Sequence, residues 1–333
     1  MTENEKKLWL DIYNLADIIY EQAPWDKLTD SNFLGYVERQ SGKLYYGSVL
    51  GNGGLYKGII IVDDDSINDY VRMMEKDFTS IQLLNYQSGI MVSFLNKKDI
   101  KDDDKIIPRE LGISFNEEWI TFKKYEKGYL PYNLSSNDLP LLKEILENII
   151  MLYSYVEEEK IPSPKPGEML CRYYVDDKTG YNNVVFNILL PKEKYFALPI
   201  DEALKNVSFN QSDDDLEIEL ANYIPIPTGD NYCDNRYKLD LYFAITNNTK
   251  DKIIDFKLYK EADYENIYEY YNERVSDIIS FIIDNYKPKT IYVRDNQTKS
   301  LLSRLGELCN IEIIMKNRLE VIDNFIDLII KKK

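Results

Sequence analysis

The chain has 333 residues and a formal net charge of −16 at neutral pH, since 57 acidic side chains outnumber 41 basic ones. Its length exceeds what one ordinary hydrophobic core accommodates, so two domains are predicted. A surface this acidic is repelled by phosphate backbones, which disfavours nucleic acid as a partner.

No histidine occurs in the sequence. This excludes Ser-His-Asp triads, Cys-His dyads and every metal site that uses imidazole. The three cysteines, Cys171, Cys233 and Cys309, are scattered and form no CxxC pair, so neither a disulfide framework nor a zinc site is indicated. Any catalysis would depend on carboxylates, Lys, Tyr, Cys or a metal held by oxygen atoms.

The N-terminal segment Met1–Lys7 is polar and leads into an amphipathic helix, so it lacks the features of a signal peptide. No apolar run approaches the roughly 20 residues that a membrane-spanning helix needs. The sequence therefore predicts a soluble, cytoplasmic protein with no membrane partner.

The first half of the chain mixes helix and strand patterns. Thr2-x-x-Glu5 is a capping box that begins a helix, and Pro24 ends it. A second long helix is predicted from Ser136 to Val156. Strand patterns occur between the two helices, at 45–50, 55–62, 90–95 and 119–122. This mixture predicts an α+β domain over residues 1–158.

A glycine-rich turn, Gly51–Gly54, joins the first two of these strands. It lacks the Gly-Lys-Ser/Thr signature of a phosphate loop, and a strand follows it where a helix would be needed. The glycines are typical of a hairpin turn whose backbone needs positive φ angles. The sequence therefore does not predict phosphate binding at this turn.

Residues 157–167 follow the second long helix. The segment begins with consecutive glutamates and continues with prolines at alternate positions. Prolines spaced in this way stiffen a chain and prevent helix formation. The segment is therefore predicted to be a linker between the first domain and a second domain over residues 168–333.

The C-terminal part of the chain predicts an α/β domain. Strand patterns at 237–243 and 253–258 indicate a hairpin. A long helix follows, and then a strand, a helix, a strand and a helix at 290–294, 299–308, 311–315 and 319–330. A hairpin followed by an αβαβα run is typical of an α/β layer fold. Earlier in the chain, Leu216–Leu220 alternates apolar residues with glutamates and predicts a half-buried strand.

Several short motifs occur together in the first half. They are Pro24-Trp25, Tyr46-x-Ser48-Val49-Leu50-Gly51, Leu111-Gly112-Ile113-Ser114-Phe115 and Gly128-Tyr129-x-Pro131-Tyr132. Together with the C-terminal strand Thr290–Asp295, they resemble an uncharacterised bacterial family built from two domains of unknown function. The resemblance covers most of residues 8–156 and again 238–330. It implies a two-domain protein of the bacterial cytosol, and it implies no activity, cofactor or catalytic residue.

Three carboxylates in the C-terminal domain are candidate metal ligands. Ribonuclease-H-like nucleases hold two divalent ions with acids on the first strand, after a later strand and on the last helix, and need no histidine. Asp240, Asp295 and Glu320 occupy comparable places and would bind Mg²⁺ or Mn²⁺ as catalytic and metal-binding residues. The alternative is that Asp295 caps a helix and Glu320 lies in a first helical turn, where negative charge is favourable.

A tyrosine-rich loop is the second candidate site. Tyr125, Tyr129 and Tyr132 occur together with Gly128 and Pro131. Such a loop can line a groove for a peptide or a small ligand. The alternative is that it packs over the core of its domain as a lid.

The sequence favours a non-catalytic binding or regulatory module of the bacterial cytosol, with a protein or small-ligand partner and no cofactor. The alternative is a divalent-metal-dependent ribonuclease-H-like nuclease or its degenerate relative. A nuclease would need a positive rim around its acidic centre, and the candidates are Lys238, Lys257, Arg294 and Lys299. A uniformly acidic surface would favour the binding module.

Overall fold

The computed structural model describes residues 1–54, 56–75, 83–115, 118–190, 192, 194–208, 212–226, 232–233, 236–285 and 287–331. The chain divides into two compact units. The first unit comprises residues 1–72, 86–127 and 131–191, and the second comprises 73–85, 128–130 and 192–333. Each unit contains its own mixed β-sheet, and helices accompany both sheets, which confirms the predicted α/β class.

The first unit contains an eight-stranded sheet. Its strands are β1 (Phe33–Val37), β2 (Leu44–Leu50), β3 (Lys57–Asp63), β4 (Gly89–Asn96), β5 (Glu118–Tyr125), β6 (Tyr132–Asn133), β7 (Glu168–Asp176) and β8 (Gly180–Asn187). Across the sheet they follow the order β6-β5-β4-β3-β2-β1-β7-β8. Neighbouring strands are antiparallel except for β1 and β7, which are parallel.

Helices accompany this sheet. They are α1 (Glu3–Gln22), α2 (Ile67–Glu75), α3 (Ile106–Leu111) and α4 (Leu139–Glu157). The predicted capping box begins α1, with the Glu5 amide donating to the Thr2 hydroxyl at 3.3 Å and the Thr2 amide donating to the Glu5 carboxylate at 2.6 Å. No helix in the described part of the chain combines the length and the apolar content that crossing a membrane requires.

The core of the first unit lies between its sheet and the long helices α1 and α4. Ile12 and Ala16 of α1 and Leu142 and Ile149 of α4 pack against strand residues such as Val92. Alternate strand residues point away from this core, because successive side chains of a strand face opposite sides. On that side Tyr70 of α2 donates to the Ser48 hydroxyl of β2 at 2.7 Å.

The compact units divide after β8, which is later than the sequence prediction. The hairpin formed by β7 and β8 follows the predicted linker at 157–167, yet it belongs to the first unit. The reason is that β7 pairs in parallel with β1, from Phe33 opposite Met169 to Tyr36 opposite Arg172. Within this segment the Pro164 carbonyl accepts a hydrogen bond from Asn32 at 2.8 Å.

The second unit contains a five-stranded sheet in the order β13-β12-β9-β14-β15 and a two-stranded sheet of β10 and β11. The strands are β9 (Asp215–Ile224), β10 (Tyr232–Cys233), β11 (Arg236–Tyr237), β12 (Asp240–Asn247), β13 (Lys252–Tyr259), β14 (Thr290–Val293) and β15 (Glu312–Met315). The helices are α5 (Ile267–Asp284), α6 (Asn296–Cys309) and α7 (Glu320–Lys331). The predicted hairpin and αβαβα run are therefore confirmed.

Both faces of the five-stranded sheet are covered, which corrects the prediction of a half-buried strand at Leu216–Leu220. Leu216, Ile218 and Leu220 of β9 belong to one apolar cluster, which also includes residues of α5 and α6. The other face carries a second apolar cluster that includes residues of α7. Glu217 and Glu219 lie on that second face and are each only 1% exposed.

A fragment of residues 1–190 should therefore unfold at a clearly higher temperature than a fragment of residues 1–158. The shorter fragment lacks β7, whose residues Met169, Leu170 and Cys171 are buried against the rest of the unit. Each fully buried apolar side chain contributes about 1.5–3 kcal/mol to folding. The measurement is thermal unfolding followed by circular dichroism, and equal melting temperatures would contradict the assignment of the β7–β8 hairpin to the first unit.

Candidate functional site

The structure places the three candidate metal ligands on separate elements of the second unit. Asp240 is the buried first residue of β12, opposite Ile224 of β9. Asp295 caps α6, since its carboxylate accepts from both the amide and the hydroxyl of Thr298 at 2.8 Å. Glu320 is the exposed first residue of α7.

These three carboxylates are not brought together as one set of ligands. Among the residues that the structure describes, which include all three, no group of three or more acidic or cysteine side chains is arranged to hold a metal ion. The positions of Asp295 and Glu320 correspond to the alternative of a helix cap and a first-turn acid. The nuclease hypothesis therefore gains no support from the geometry.

The basic residues proposed for a nuclease rim are largely paired with acids. The ion pairs are Lys238 with Glu261 at 3.0 Å, Lys257 with Asp255 at 3.1 Å and Arg294 with Glu219 at 2.7 Å. A cation that is already neutralised by a neighbouring carboxylate contributes little to holding a phosphate backbone. The positive rim that a nuclease would need therefore gains no support from these three residues.

The second unit is built around a buried ion pair that the sequence analysis missed. Nε of Arg294 donates to both carboxylate oxygens of Glu219, at 2.8 and 2.9 Å, and Nη2 donates to one of them at 2.7 Å. Nη2 also donates to Asp323 of α7 at 2.6 Å, and Nη1 donates to the Asn317 carbonyl at 3.1 Å. The guanidinium therefore joins β9, the end of β14 and α7.

Burial and ion pairing have opposite effects on the pKa of each of these two groups. Burial raises the pKa of the Glu219 carboxyl, and the Arg294 guanidinium beside it acts to lower this pKa. Burial also disfavours the charge on Arg294, but Glu219, Tyr242 and Asp323 together outweigh this and raise the pKa of Arg294. Arginine keeps its charge at every accessible pH, so the buried guanidinium needs the acceptor that Glu219 provides.

Glu217, two residues before Glu219 on β9, holds the first turn of α7. Its Oε2 accepts hydrogen bonds from the amides of Val321 at 3.0 Å and Ile322 at 3.2 Å, and from the Thr246 hydroxyl at 3.3 Å. The first amides of a helix have no partner within the helix and carry a partial positive charge. A carboxylate from the sheet therefore performs the capping function for α7.

The tyrosines of the predicted binding loop are divided between the two units. Tyr125 lines a cleft of the first unit, and Tyr132 of the same unit donates its hydroxyl to Glu126 at 2.7 Å. Tyr129 belongs to the second unit, where the Arg236 guanidinium lies 4.5 Å from its ring centroid. Neither unit by itself contains all three, so a groove formed by the whole loop stays a prediction.

Two clefts in the first unit are large enough for a small ligand. The first, which we call the α1 cleft, has a volume of about 540 Å³. Its walls are formed by aromatic and aliphatic side chains together with two acids and a serine, and they consist of Asp17, Tyr20, Phe94, Ile113, Ser114, Phe115, Glu118 and Ile120. Asp17 and Tyr20 come from α1, Phe94 from β4, and Glu118 and Ile120 from β5.

The negative charges of the two acids that line the α1 cleft have few positive partners. Asp17 is an exposed residue that forms no ion pair with any described residue, and its pKa is raised by partial desolvation against the protein and by the nearby charge of Glu21. Oε2 of Glu118 is buried and accepts no hydrogen bond from the described part of the chain. Oε1 of Glu118 lies 3.9 Å from the Lys57 ammonium, which is the outer limit of an ion pair.

The second cleft, which we call the α4 cleft, has a volume of about 420 Å³ and is lined by residues that include Tyr125 and Leu141 of α4. Two of its three acids are paired with nearby ammonium groups, and the third, Glu126, accepts a hydrogen bond from the Tyr132 hydroxyl. Lys124 lies 2.6 Å from Asp138, and Lys43 lies 2.7 Å from Asp63. The α1 cleft is therefore the one whose negative charge remains available to a ligand.

We expect Glu219→Gln to destabilise the protein by roughly 3–5 kcal/mol, because it leaves the buried Arg294 charge without its main partner. Glu320→Gln is the matched control, since it makes the same chemical change at an exposed position near the same helix end. Such surface changes usually stay within about 0.5 kcal/mol. Urea unfolding of the two variants measures both effects, and equal losses would contradict the assigned role of the pair.

Comparison with known proteins identifies the two halves of the chain. Residues 9–172 match a domain of unknown function, DUF7309, and residues 203–329 match another, DUF6930. No curated protein and no solved structure matches the chain significantly. The chain is therefore a tandem of DUF7309 and DUF6930 domains, which confirms its resemblance to a family of paired domains of unknown function.

Proposed function

We propose that this protein is a non-catalytic binding module whose first unit takes a small organic cation in the α1 cleft. The observation that carries the proposal is the buried Oε2 of Glu118, which has no hydrogen-bond partner in the described part of the chain. A buried carboxylate oxygen without a donor loses its hydration without compensation. A positive charge in the cleft would compensate this carboxylate electrostatically, since the Glu118 side chain as a whole is 37% exposed although Oε2 itself is covered by the protein.

The walls of the cleft support a ligand that combines a cation with an apolar body. Tyr20 and Phe94 lie with their ring centroids 5.2 Å apart, and Phe115 and Ile120 add further apolar surface. Aromatic faces attract cations, and small-ligand sites are typically apolar cavities of about 300–1,000 Å³ with a few polar groups. An alkylammonium or arylalkylammonium ion has both properties.

A lysine of the protein already occupies comparable surroundings beside the cleft. The Lys57 ammonium lies 5.2 Å from the Tyr20 ring centroid and 5.5 Å from that of Trp25. The same ammonium is 3.9 Å from Glu118. Aromatic rings and a carboxylate at this place therefore attract one cation within the chain, and a cationic ligand would compete with Lys57 for the same groups.

The overall charge supports the same class of ligand. A net charge of −16 produces a field that attracts cations and repels anions. The substrates of nucleases are anions, which a negatively charged protein repels. The net charge therefore favours a binding module over a nuclease. The bacterial cytosol implied by the family resemblance is part of this proposal.

We expect phenethylammonium to bind the full-length protein and its neutral analogue, phenethyl alcohol, to bind at least about tenfold more weakly, because hydrogen bonds to charged groups are worth about 1.5–3 kcal/mol. Asp17→Asn and Glu118→Gln should each weaken binding of the cation by about tenfold or more. Isothermal titration calorimetry measures these affinities.

The matched control for these variants is Glu21→Gln. It removes the same charge one helical turn after Asp17, from a side chain that does not line the cleft. Its effect on affinity at neutral pH should be less than about threefold, because Glu21 does not line the cleft and its charge reaches a ligand there only through water. Equal affinities for the amine and the alcohol, or equal effects of all three variants, would contradict the proposed site.

Affinity for the cation should also rise with pH in the acid range. Partial desolvation and the nearby Glu21 charge raise the pKa of Asp17, so the free protein holds this proton to a higher pH than an ordinary aspartate with a pKa of about 3.9. The cation binds the ionised form, and binding therefore strengthens as the pH rises through the pKa of Asp17. The Asp17→Asn variant should show a flatter pH profile in the same calorimetric titration, and an unchanged profile would contradict the role of Asp17.

A further inference from the structure

Lys57 is the first residue of β3, and its side chain points to the same side of the sheet as the α1 cleft. It pairs with Phe94 of β4, and Phe94 pairs with Ile120 of β5. Directly opposed residues of neighbouring strands face the same side of a sheet, and so do residues two apart on one strand, such as Glu118 and Ile120. Phe94, Glu118 and Ile120 all line the α1 cleft. Lys57 therefore continues this row of lining residues by one strand.

The glycine turn that precedes β3 places Lys57 beside an aromatic ring. A Cβ atom on Gly51 would lie 3.1 Å from the Lys57 Cα and 3.2 Å from the Trp25 Cβ, and Gly51 has a φ of +122°, which favours glycine. The Asn52 side chain donates a hydrogen bond to the Trp25 carbonyl at 3.0 Å. The turn therefore packs closely on both residues, and it fixes the backbone from which the Lys57 side chain extends.

The ammonium end of Lys57 is held only by weak interactions. It lies over the rings of Tyr20 and Trp25, at 5.2 and 5.5 Å from their centroids, and 3.9 Å from Oε1 of Glu118. Cation–π contacts extend to about 6 Å and ion pairs to about 4 Å, so each of these distances is close to its limit. The Lys57 side chain is 37% exposed and lysine has a flexible stem, so the ammonium can exchange these groups for water.

We propose that Lys57 is an internal competitor of the ligand: its ammonium takes the place of the ligand's cation in the free protein, and a ligand binds by displacing it into water. This inference rests on the proposed function and adds a means of regulating the same site. In the free protein, Lys57 partly neutralises Glu118, whose Oε2 has no hydrogen-bond partner in the described part of the chain. In the complex, the ligand's cation performs that role.

Such a competitor sets both the affinity and the selectivity of the site. The apparent affinity falls in proportion to the fraction of time for which the competent state is populated. A cation without an apolar body gains no more from the site than the tethered ammonium does, and the tether gives Lys57 an effective concentration on the order of millimolar. A ligand with an apolar body also gains contacts with lining residues such as Ile113 and Phe115. The site therefore selects organic cations over inorganic ones.

The first test is isothermal titration calorimetry with phenethylammonium on the full chain. Lys57→Met removes the ammonium and keeps an unbranched apolar side chain, and it should tighten binding by about fivefold or more, since the competing state is lost. Lys178→Met is the matched control, because it makes the same change at an exposed lysine in the turn between β7 and β8. Its affinity should stay within about twofold of the wild-type value, because salt screens a charge at the far edge of the sheet.

The second test observes Lys57 itself in the unmodified protein. Its ε-methylene protons lie near the faces of Tyr20 and Trp25, so ring currents should shift their NMR signals upfield of the ordinary lysine position. The probe is hexylammonium, which has no aromatic ring of its own. Displacement predicts that saturating hexylammonium moves the Lys57 signals to the ordinary lysine position, whereas a ligand that binds beside an undisturbed Lys57 would leave them upfield.

The two tests distinguish failure of this inference from failure of the proposed function. Equal affinities of the wild type and Lys57→Met for phenethylammonium, or Lys57 signals that stay upfield at saturation, would overturn the displacement of Lys57 and leave the cleft as a cation site. Absence of binding to both the wild type and Lys57→Met would overturn both proposals.

Discussion

The second unit depends on the buried pairing of Glu219 with Arg294. Moving two charges out of water is costly, and the cost is recovered only when the geometry is good and the remaining donors are satisfied. The guanidinium meets these conditions, because Glu219, Asp323 and the Asn317 carbonyl accept its hydrogen bonds. The pairing requires β9, β14 and α7 to meet in one arrangement, so it specifies the fold of the unit more than it adds to its stability.

Much of the fold of the second unit could be predicted from the sequence because its elements have strong local patterns. The hairpin of β12 and β13 and the following αβαβα run each show a hydrophobic period that identifies the element. The burial of Glu217 and Glu219 was missed because alternation of apolar and acidic residues is the pattern of a strand with one face in water. The helices that follow β9 in the sequence were the signal, because helices that pack on both faces of a sheet cover the side chains on each face.

The boundary of the first unit could not be predicted in the same way. The strand β7 pairs in parallel with β1, although well over a hundred residues separate Phe33 from its partner Met169. A pairing between distant segments leaves no periodic signal near either one. The prolines of 157–167 correctly indicate a segment without helix or strand, but they do not indicate that the chain returns to the same sheet.

The candidate site was missed for a related reason. Asp17 and Glu118 belong to a helix and a strand that are distant in the sequence, and neither residue is part of a recognised motif. Sequence spacing instead pointed to Asp240, Asp295 and Glu320, and two of these, Asp295 and Glu320, lie at helix starts where acids have a local explanation. Carboxylates at helix starts are common because they satisfy free amides, so such positions alone do not identify a site.

The most direct test of binding in the α1 cleft is to observe the isoleucine methyl groups by NMR during a titration with phenethylammonium. Ile113 and Ile120 line the α1 cleft, and Ile61 and Ile90 line the α4 cleft. We predict that the methyl signals of Ile113 and Ile120 shift in a saturable manner while those of Ile61 and Ile90 stay unchanged. Unchanged signals for Ile113 and Ile120, or shifts confined to Ile61 and Ile90, would contradict binding in the α1 cleft.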